Sequence, residues 1–377
     1  MNKGILTTLL LAIAVTATAV AQEPIDRLRP SDGRNVIARF DVAQQGDTAL
    51  VTGTVGTEEQ REDIIACLLN DYTLYKVVNT DSLNVLELSV PVTQRRAQVS
   101  LAVATLRTAP RHAAEMATQA VMGTPLRVLQ RDGEWLRVQQ PDEYIAWIPE
   151  SSVAFKSDDA MSAWRARHDR YVVTSLASTL LARVGDDEPV SDLVSGCILE
   201  LRYKAGEWLR LATPDGREGY VRAEDVTTID EWAAQAYDAT LIERTARRMT
   251  GAGYLWGGTS SKVTDCSGLV KVCHLANGII LHRDASQQVL NGEPINDWHD
   301  ALTGDLLFFG NKTTGRVTHV GIYLRDGNFI HCSGRVKVNN LDPDSPDYLY
   351  SPLAIRRVST AIGTRGITPA RQHPWYF

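Results

Sequence analysis

One cysteine in this sequence lies in a setting that suits a nucleophile. Cys266 follows Asp265 and precedes Ser267-Gly268, and an apolar stripe at helical spacing then runs to Asn277-Gly278. This pattern predicts a helix that begins at or next to Cys266. The unpaired N–H groups at a helix N-terminus carry roughly half a positive charge and favour a thiolate over a thiol. We therefore expect Cys266 to be a reactive thiolate with a lowered pKa.

The other cysteines have the character of structural residues. Cys67, Cys197 and Cys273 lie in apolar runs, where buried thiols are common. The chain has five cysteines, an odd number, and their spacing forms neither a CxxC pair nor a disulfide framework. We expect at least one thiol to stay free and Cys273 to be part of the core.

A thiolate nucleophile needs an oriented base that carries a proton to the leaving amine, and two histidines are candidates. His319 lies in Val317–Leu324, a run of alternating polarity that places Gly321 on the same face. His331 ends the next strand-like run, after the turn residues Asp326-Gly327. A lone histidine in a strand is more often structural, but two on adjacent strands, downstream of this cysteine, favour catalysis.

The connection between these two strands decides whether the imidazoles can meet. A two-residue turn at Asp326-Gly327 would place His319 and His331 on opposite faces of the sheet. A three-residue loop, Arg325–Gly327, with Gly327 in the left-handed conformation, would pair position 331 with 321 and bring both rings to one face. We predict the three-residue loop, because the relay requires an odd-length connection.

Tyr254 and the pair Gly257-Gly258 precede the cysteine. A tyrosine hydroxyl can join the cysteine's own backbone N–H in stabilising a tetrahedral oxyanion, a contact worth roughly 3 kcal/mol when a donor is removed. Simple aromatic packing is the alternative for Tyr254, and the sequence leaves both open.

These residues belong to an ordered series of motifs. The series is Tyr254-x-Trp256-Gly-Gly, Asp265-Cys266-Ser267-Gly268, Arg283-Asp284-Ala-Ser286-Gln287, Gly304-Asp305-Leu-Leu-Phe-Phe309 and His319-Val-Gly-Ile-Tyr323. From about residue 238 to 377 the chain resembles the NlpC family of bacterial cell-wall cysteine peptidases. The resemblance implies a papain-like α+β fold and hydrolysis of peptidoglycan stem peptides between γ-linked D-glutamate and a diamino acid. It also implies that Cys266 is the nucleophile, His319 the general base, His331 the residue that orients it, and Tyr254 the oxyanion tyrosine.

An internal repeat precedes this unit. Gly133–Val153 realigns with Gly206–Val226 at a constant offset of 73 residues, and each copy has short β-rich runs around a Pro-Asp turn. The repeat predicts two small barrels that resemble bacterial SH3-like domains, at 99–156 and 171–230. A helical spacer at 157–170 should begin at Ser157 and place Met161, Trp164 and His168 on one side.

Two SH3-like domains before such a catalytic unit resemble the γ-D-glutamyl-diamino-acid endopeptidases that trim released muropeptides with a free N-terminal L-alanine. In that subgroup the first SH3-like domain closes one end of the groove and fixes the substrate amine, whose desolvation requires polar partners. The resemblance implies substrate-binding roles for seven residues: Glu115, Tyr144, Trp256, Asp265, Ser267, Asp284 and Ser286. Arg217 stands in the second repeat where the first has Tyr144, so we expect no such role there.

Two alternatives differ in what the SH3-like domains do. The chain could hydrolyse intact peptidoglycan, with these domains as wall-binding modules. It could also be a non-catalytic wall-binding scaffold, but the retention of Cys266, His319 and His331 argues against that function.

The start of the chain predicts export. Lys3, the apolar run Ile5–Val15 and the small-x-small pattern Ala19–Ala21 are typical of a signal peptide, residues 1–21. A membrane anchor would need about 20 unbroken apolar residues, and threonines interrupt this run. We expect a periplasmic or secreted protein that has no membrane association after cleavage.

Residues 22–98 predict a small α/β unit. Its expected elements are a strand at Ala49–Val55, a capping box of Thr57 and Gln60 before a helix at Ile64–Leu69, and strands at Leu74–Val78 and Leu83–Val90. We assign this unit no chemistry.

The composition excludes several classes of protein. The chain has 377 residues, 44% of them hydrophobic and 22% charged, and a net charge of −6 without a dense basic run. These values are typical of a soluble globular protein and disfavour nucleic-acid binding. No histidine and cysteine spacing suits zinc, so we expect no metal and no cofactor. The expected partner is the peptide L-Ala-γ-D-Glu-diamino acid, bound by a monomer.

Overall fold

The computed structural model describes residues 23–30, 32–349 and 351–377. The predicted signal peptide, residues 1–21, lies outside the described residues. The chain divides into two compact units, one that extends to Leu86 and one that comprises Arg34–Val36 and Glu87–Phe377. None of the helices in the described part of the chain combines the length and the apolar character needed to span a bilayer.

The first unit is a three-stranded sheet with one long helix. Its elements are α1 (Glu23–Asp26), β1 (Ala38–Gln45), β2 (Thr48–Val55), α2 (Glu58–Asp71) and β3 (Val77–Val85). Strands β1 and β2 are antiparallel, and α2 crosses over so that β3 runs parallel to β2. Thr57 and Gln60 cap the start of α2 reciprocally, which confirms the predicted capping box.

The chain after α2 differs from the prediction. Two strands were expected, at Leu74–Val78 and Leu83–Val90, whereas the single strand β3 covers residues 77–85 and a 3-10 turn follows at Leu86–Ser89. The polar residues 79–82 interrupt the apolar pattern, but Asn79 and Ser82 pair with β2 on the two sides of a register irregularity, so the strand continues. The hydrogen bonds of a sheet join backbone groups and do not depend on side-chain polarity. A prediction based on hydropathy alone therefore divides this one strand into two.

The next seven strands form one antiparallel sheet. They are β4 (Arg96–Val99), β5 (Val103–Arg107), β6 (Met116–Val121), β7 (Pro125–Asp132), β8 (Trp135–Gln139), β9 (Ile145–Pro149) and β10 (Val153–Lys156). Their order in the sheet is β10-β4-β7-β8-β9-β5-β6, around a core that includes Leu106, Leu136 and Ile148. The sheet begins at Arg96, slightly before the boundary predicted at residue 99.

A short helix, α3 (Asp158–Arg165), follows with Ser157 as its N-cap, as predicted. Met161 and Trp164 lie buried on its inner side. His168 lies beyond the helix, and its exposed ring pairs with an aspartate at the surface, so the expectation that it shares their side is wrong. The reason is that α3 ends at Arg165, one turn earlier than the apolar spacing indicates.

The second antiparallel sheet repeats the topology of the first. Its strands are β11 (Arg170–Val173), β12 (Ala177–Leu181), β13 (Pro189–Val194), β14 (Ile198–Ala205), β15 (Trp208–Ala212), β16 (Glu218–Arg222) and β17 (Val226–Thr228). Their order, read as β17-β11-β14-β15-β16-β12-β13, matches the first sheet strand for strand. The sequence repeat is therefore also a structural repeat.

The C-terminal part of the chain places helices against an antiparallel sheet. The helices are α4 (Ile229–Ala233), α5 (Ala239–Arg248), α6 (Cys266–Leu275) and α7 (Ala285–Gln288). The strands are β18 (Ile279–Leu281), β19 (Glu293–Ile295), β20 (Leu306–Gly310), β21 (Val317–Arg325), β22 (Asn328–Ser333), β23 (Arg335–Asn340), β24 (Ala354–Arg357) and β25 (Ile367–Pro369). The main sheet has the order β19-β24-β20-β21-β22-β23, while β18 pairs with β25.

Helix α6 packs on the centre of the main sheet. Leu269 and Cys273 of the helix share a buried cluster with Val320 and Ile322 of β21, which confirms Cys273 as a core residue. Tyr323 belongs to a cluster on the other side of the sheet, as the alternation in β21 predicts. All five cysteines are free and buried. The apolar stripe of α6 therefore fixes the helix over β21, next to the two histidine strands.

Buried polar contacts join the first of the two seven-stranded sheets to the C-terminal part. Lys271 Nζ lies 2.6 Å from Asp142 Oδ2, and the two side chains are only 13% and 6% exposed. The same Nζ donates to the Leu281 carbonyl at 2.7 Å. Arg283 Nε donates to Thr118 Oγ1 at 2.9 Å. The Lys271 charge is compensated by Asp142 only while both parts are in place.

Candidate active site

Helix α6 begins at Cys266, as the sequence predicts. Asp265 is its N-cap, and Asp265 Oδ1 accepts a hydrogen bond from the Gly268 N–H at 2.7 Å. A Cβ at Gly268 would lie 2.0 Å from the carbonyl oxygen of Gly258, so no side chain fits there. Asp265 and Gly268 therefore fix the conformation of the first helical turn, which contains Cys266.

The thiol itself is not the preformed thiolate that we expected. Cys266 is only 6% exposed, and burial raises its pKa to about 11, with the nearby Asp265 carboxylate acting in the same direction. The backbone N–H groups of Ser267 and Val320 and the Arg283 guanidinium favour the thiolate but do not prevail. The loss of solvation outweighs the partial charge of the helix end, so the prediction of a lowered pKa is wrong for the free protein.

The two histidines lie on one face of the sheet, as predicted. Ile322 pairs with Ile330 in the antiparallel register of β21 and β22, which places position 321 opposite 331. His319 Nε2 lies 2.7 Å from His331 Nδ1, and the ring planes meet edge to face at 78°. The imidazoles therefore form a hydrogen-bonded pair.

The loop that produces this register differs from the prediction. Arg325 pairs with Asn328, so the turn has two residues, Asp326 and Gly327, at φ values of 53° and 75°. The extra residue is Leu324, which bulges out of the ladder between the pairs of Tyr323 and Arg325. The expected three-residue loop is therefore wrong, although Gly327 is left-handed as predicted. A bulge adds one residue to one strand. It therefore has the same effect on the register as a loop with an odd number of residues, and both histidines come to lie on the same face.

Gly321 makes room for the histidine pair. A Cβ at this position would lie 3.2 Å from His331 Cβ and 2.9 Å from Phe329 Cδ2. The glycine next to His319 thus admits a partner side chain, as the sequence predicts, and that partner is His331.

Both imidazoles are held in the neutral form at pH 7. Burial lowers the pKa of His319 to about 4, and the neighbouring His331 and Lys337 add to this effect, while Asp265 opposes it. Burial also lowers the pKa of His331, while the hydrogen bond that its Nε2 donates to Asn339 Oδ1 acts in the opposite direction. A neutral imidazole can accept a proton, so His319 has the protonation state that a general base requires.

Asn339 was not predicted, and it extends the pair to a chain of three side chains. Its Oδ1 lies 2.9 Å from His331 Nε2, and its Nδ2 donates to the Asp347 carbonyl at 2.8 Å. The register pairs His331 with Lys337 and Phe329 with Asn339, so Asn339 is a diagonal neighbour of His331 on the same face. Lys337 is the residue opposite His331, and Asn339 lies two residues beyond it. The sequence signal is weak, because this relation can be recognised only when the strand register is already known.

The Asp265 carboxylate makes more hydrogen bonds within the protein than a substrate-binding role suggests. Arg283 Nη2 lies 2.6 Å from Asp265 Oδ2, which also accepts from the Gly257 N–H at 2.9 Å. Arg283 Nη1 lies 3.2 Å from Asp265 Oδ1 and donates to Ser267 Oγ at 2.8 Å. Arg283 is 1% exposed, and the Asp265 carboxylate raises its pKa although burial opposes this. Arg283 stands inside the motif at 283–287, which could have pointed to its role as the clamp of the helix cap.

A cleft of about 690 Å³ opens above the cysteine. Among the residues that line it are all of the sequence-predicted site residues except the two histidines: Glu115, Tyr144, Tyr254, Trp256, Asp265, Cys266, Ser267, Asp284 and Ser286. Thr108, Glu115 and Ala117 come from the first seven-stranded sheet and its connections, so that part of the chain forms one wall. Within the described residues, no group of three or more His, Cys, Asp or Glu side chains is placed to hold a metal ion.

Tyr254 and Trp256 lie at the open side of the cleft. Tyr254 is half-buried, and its pKa is raised by burial and then by the charges of Cys266 and Asp265, so its hydroxyl stays protonated. Trp256 is 61% exposed, which is unusual for so large an apolar side chain. The next residue, Gly257, has a φ of 83°, and a Cβ at Gly257 would lie 2.6 Å from the Met116 carbonyl oxygen. The loop thus presents one hydroxyl donor and one aromatic face to a ligand.

Asp284 also lines the cleft and was expected to bind the substrate amine. Arg34 Nη1 lies 2.5 Å from Asp284 Oδ2, and Arg34 Nη2 donates to Ser286 Oγ at 3.3 Å. Burial raises the pKa of Asp284, while Arg283, Arg34 and a hydrogen bond from the Tyr144 hydroxyl act in the other direction. Arg34 was missed, because it precedes the barrels in the chain and no motif marks it.

Two regions of the chain match known families. Residues 251–353 match the NlpC/P60 family, and residues 106–153 match the bacterial dipeptidyl-peptidase Sh3 domain. The chain therefore carries an NlpC/P60 domain preceded by a bacterial dipeptidyl-peptidase Sh3 domain, which confirms the resemblance seen in the motifs.

Several relatives match about two thirds of the chain. The gamma-D-glutamyl-L-lysine dipeptidyl-peptidase of Bacillus cereus is 26% identical over 65% of this chain and 76% of its own length. The dipeptidyl-peptidase 6 of Lysinibacillus sphaericus is 28% identical over 67% of this chain and 92% of its own. An NlpC/P60 family protein of Bacillus cereus with a crystal structure superposes with a TM-score of 0.62 at 23% identity, over 70% of this chain and 99% of that one. The structural likeness shows a shared fold.

Proposed function

We propose that this protein is a cysteine endopeptidase that hydrolyses the bond between γ-D-glutamate and a diamino acid in peptidoglycan stem peptides. The observation that carries the proposal is the placement of Cys266 at the start of α6, on the wall of a cleft, beside the strand of His319, whose ring is held by His331 at 2.7 Å. Relatives whose names specify a γ-D-glutamyl-L-lysine dipeptidyl-peptidase support this choice of bond.

In the proposed reaction Cys266 Sγ attacks the γ-carbonyl carbon while His319 takes the thiol proton. The buried thiol and the neutral imidazole both resist charge separation, so the proton moves as the S–C bond forms rather than before it. The oxyanion accepts hydrogen bonds from the Tyr254 hydroxyl and the Cys266 N–H. His319 then gives its proton to the amine of the diamino acid as the C–N bond breaks, which leaves a thioester.

Water completes the cycle. His319 removes a proton from the water, whose oxygen attacks the thioester carbonyl, and the C–S bond breaks with return of the proton to the thiolate. His331 holds the His319 ring in position through both halves of the reaction. The products are a peptide that ends in D-glutamate and a free amine on the diamino acid.

We further propose that the substrate is a released muropeptide with a free N-terminal L-alanine. The wall that Glu115 and Tyr144 contribute to the cleft supports a short ligand over a continuous polymer strand. Glu115 is an exposed carboxylate on that wall, and Asp284 and Ser286 line the same cleft. A terminal ammonium between them would meet the carboxylate partners that its desolvation requires. The sequence of residues 1–21 supports a periplasmic or secreted location.

The test is a mass-spectrometric assay of L-Ala-γ-D-Glu-diaminopimelate with the purified chain. We expect release of L-Ala-D-Glu, loss of this product in Cys266→Ala, and its retention in Cys273→Ala, which changes a core thiol of the same helix. Acetylation of the alanine amine should slow cleavage by at least about tenfold, since it removes the charge that the carboxylates bind. Equal cleavage by Cys266→Ala would exclude the nucleophile, and faster digestion of intact sacculi than of the tripeptide would exclude the muropeptide substrate.

A further inference from the structure

We infer that Asn339 is a positioning residue that fixes the tautomers of both histidines and thereby leaves the free lone pair of His319 on Nδ1. This inference rests on the proposed function and adds a residue to it. It is carried by three consecutive hydrogen bonds, of 2.8, 2.9 and 2.7 Å, that run from the Asp347 carbonyl through Asn339 and His331 to His319.

The first bond fixes the orientation of the asparagine amide. A backbone carbonyl can only accept, so the group of Asn339 that faces the Asp347 oxygen at 2.8 Å must be the NH₂. The Asp347 carbonyl is itself held by the Asn340 N–H at 2.9 Å, so it stays in place independently of the side chain. Asn339 Oδ1 therefore faces His331.

The second bond fixes the proton on His331. Asn339 Oδ1 can only accept, so His331 Nε2, at 2.9 Å, must carry a hydrogen. A neutral imidazole has one N–H, and burial together with the opposing Lys337 lowers the pKa of His331, so the ring is neutral. His331 Nδ1 is consequently an acceptor.

The third bond transmits this choice to the base. Because His331 Nδ1 accepts, His319 Nε2, at 2.7 Å, must donate, and the lone pair of neutral His319 resides on Nδ1. Without the asparagine, His331 could carry its proton on Nδ1 and donate to His319 Nε2. The hydrogen of His319 would then sit on Nδ1, where the thiol proton has to be accepted, and the base would be blocked.

The charged and titratable groups around the pair do not replace this device. Lys337 lies opposite His331 on β23, and the Asp265 carboxylate at the start of α6 acts on His319. A cation cannot accept the His331 proton, and Asp265 is already engaged by Arg283. Within the described residues, Asn339 Oδ1 is the acceptor that the structure places at His331 Nε2.

Two substitutions of Asn339 distinguish its role as a hydrogen-bond acceptor from its contribution to packing. Asn339→Leu has nearly the same size but no acceptor, whereas Asn339→Asp keeps an acceptor and adds a negative charge. We expect Asn339→Leu to lower kcat by about ten- to one-hundred-fold with KM within about twofold, as for other orienting partners of a functional histidine. Asn339→Asp should retain kcat, and the acid limb of its pH profile should move to higher pH, because a carboxylate stabilises imidazolium in the chain.

Nitrogen-15 NMR of histidine-labelled protein reads the tautomers directly and does not depend on activity. In the parent chain we expect protonated Nε2 on both His319 and His331, and in Asn339→Leu a loss of that single tautomer, with the midpoint of thermal unfolding within a few degrees of the parent. Retained kcat and unchanged tautomers in Asn339→Leu would overturn the inference. If instead Cys266→Ala cleaved the tripeptide as fast as the parent, the proposed function would fail, and the NMR comparison would still decide the role of Asn339.

Discussion

A single methyl group added at Gly321 tests whether the histidine pair depends on the space that this glycine leaves. In Gly321→Ala the new Cβ would lie 2.9 Å from Phe329 Cδ2 and 3.2 Å from His331 Cβ. Ordinary contact begins at about 3.4 Å, so the phenyl ring must retreat by roughly 0.5 Å and the imidazole by roughly 0.2 Å. Phe329 is 0% and His331 1% exposed, so neither has free space to enter.

Overpacking of this kind costs about 1–3 kcal/mol. In a folding unit of this size each kcal/mol lowers the midpoint of thermal unfolding by about 1–2 °C. The hydrogen bond between the rings should lengthen as well, and displacements of this order at a catalytic base lower kcat by about tenfold or more. The assays are thermal unfolding and kcat on the tripeptide, measured on the same preparation.

Gly253→Ala is the matched control, because a Cβ there meets nothing within 4 Å and its φ is not positive. We expect this variant to keep both its unfolding temperature and its kcat. The reasoning would be refuted if Gly321→Ala behaved like the control, since the histidine pair would then tolerate a side chain in the space between the strands.

Three further predictions concern charge. Because burial raises the pKa of the Cys266 thiol to about 11, its alkylation by iodoacetamide should keep accelerating above about pH 9, and a plateau below pH 7 would contradict a neutral thiol. His319 must be neutral to act and its pKa is lowered to about 4, so kcat/KM should stay level from pH 7 to about pH 5, where a base of ordinary pKa would have lost most of its activity. Arg283→Met leaves the Asp265 carboxylate in the interior without its cation and should lower the free energy of urea unfolding by about 3–5 kcal/mol. Adding Asp265→Asn to this variant should recover part of the loss. Strictly additive losses of the two substitutions would disprove the coupling.

The local parts of the site could be predicted from the sequence. The start of α6 at Cys266 follows from a cap residue and an apolar stripe that lie within a few residues of each other. The shared face of His319 and His331 follows from the two-residue period of strands, once an odd connection is assumed. Both patterns depend on neighbours in the chain, which is why they can be read without coordinates.

The parts that depend on distant residues could not be predicted. The pKa of Cys266 rises chiefly because the fold buries the thiol, and burial is not visible in the local sequence, whereas the helix end and the neighbouring Asp265 are. The bulge at Leu324 has no residue signature, since leucine occurs in regular strands as well. Arg34 reaches Asp284 across 250 positions of the chain, and such a contact is set by tertiary packing.

The compensated charges between the first barrel and the catalytic domain restrict how such proteins can be rearranged by recombination. Replacement of the first barrel by one without Asp142 and Thr118 would leave Lys271 without its carboxylate and Arg283 Nε without its acceptor, whereas the ion pair of the second barrel, Lys262 with Asp192, is about half exposed and would leave only a hydrated lysine behind. Exchange of the second barrel between relatives should thus be tolerated more readily than exchange of the first, which has to be inherited together with the C-terminal domain whose buried lysine it neutralises.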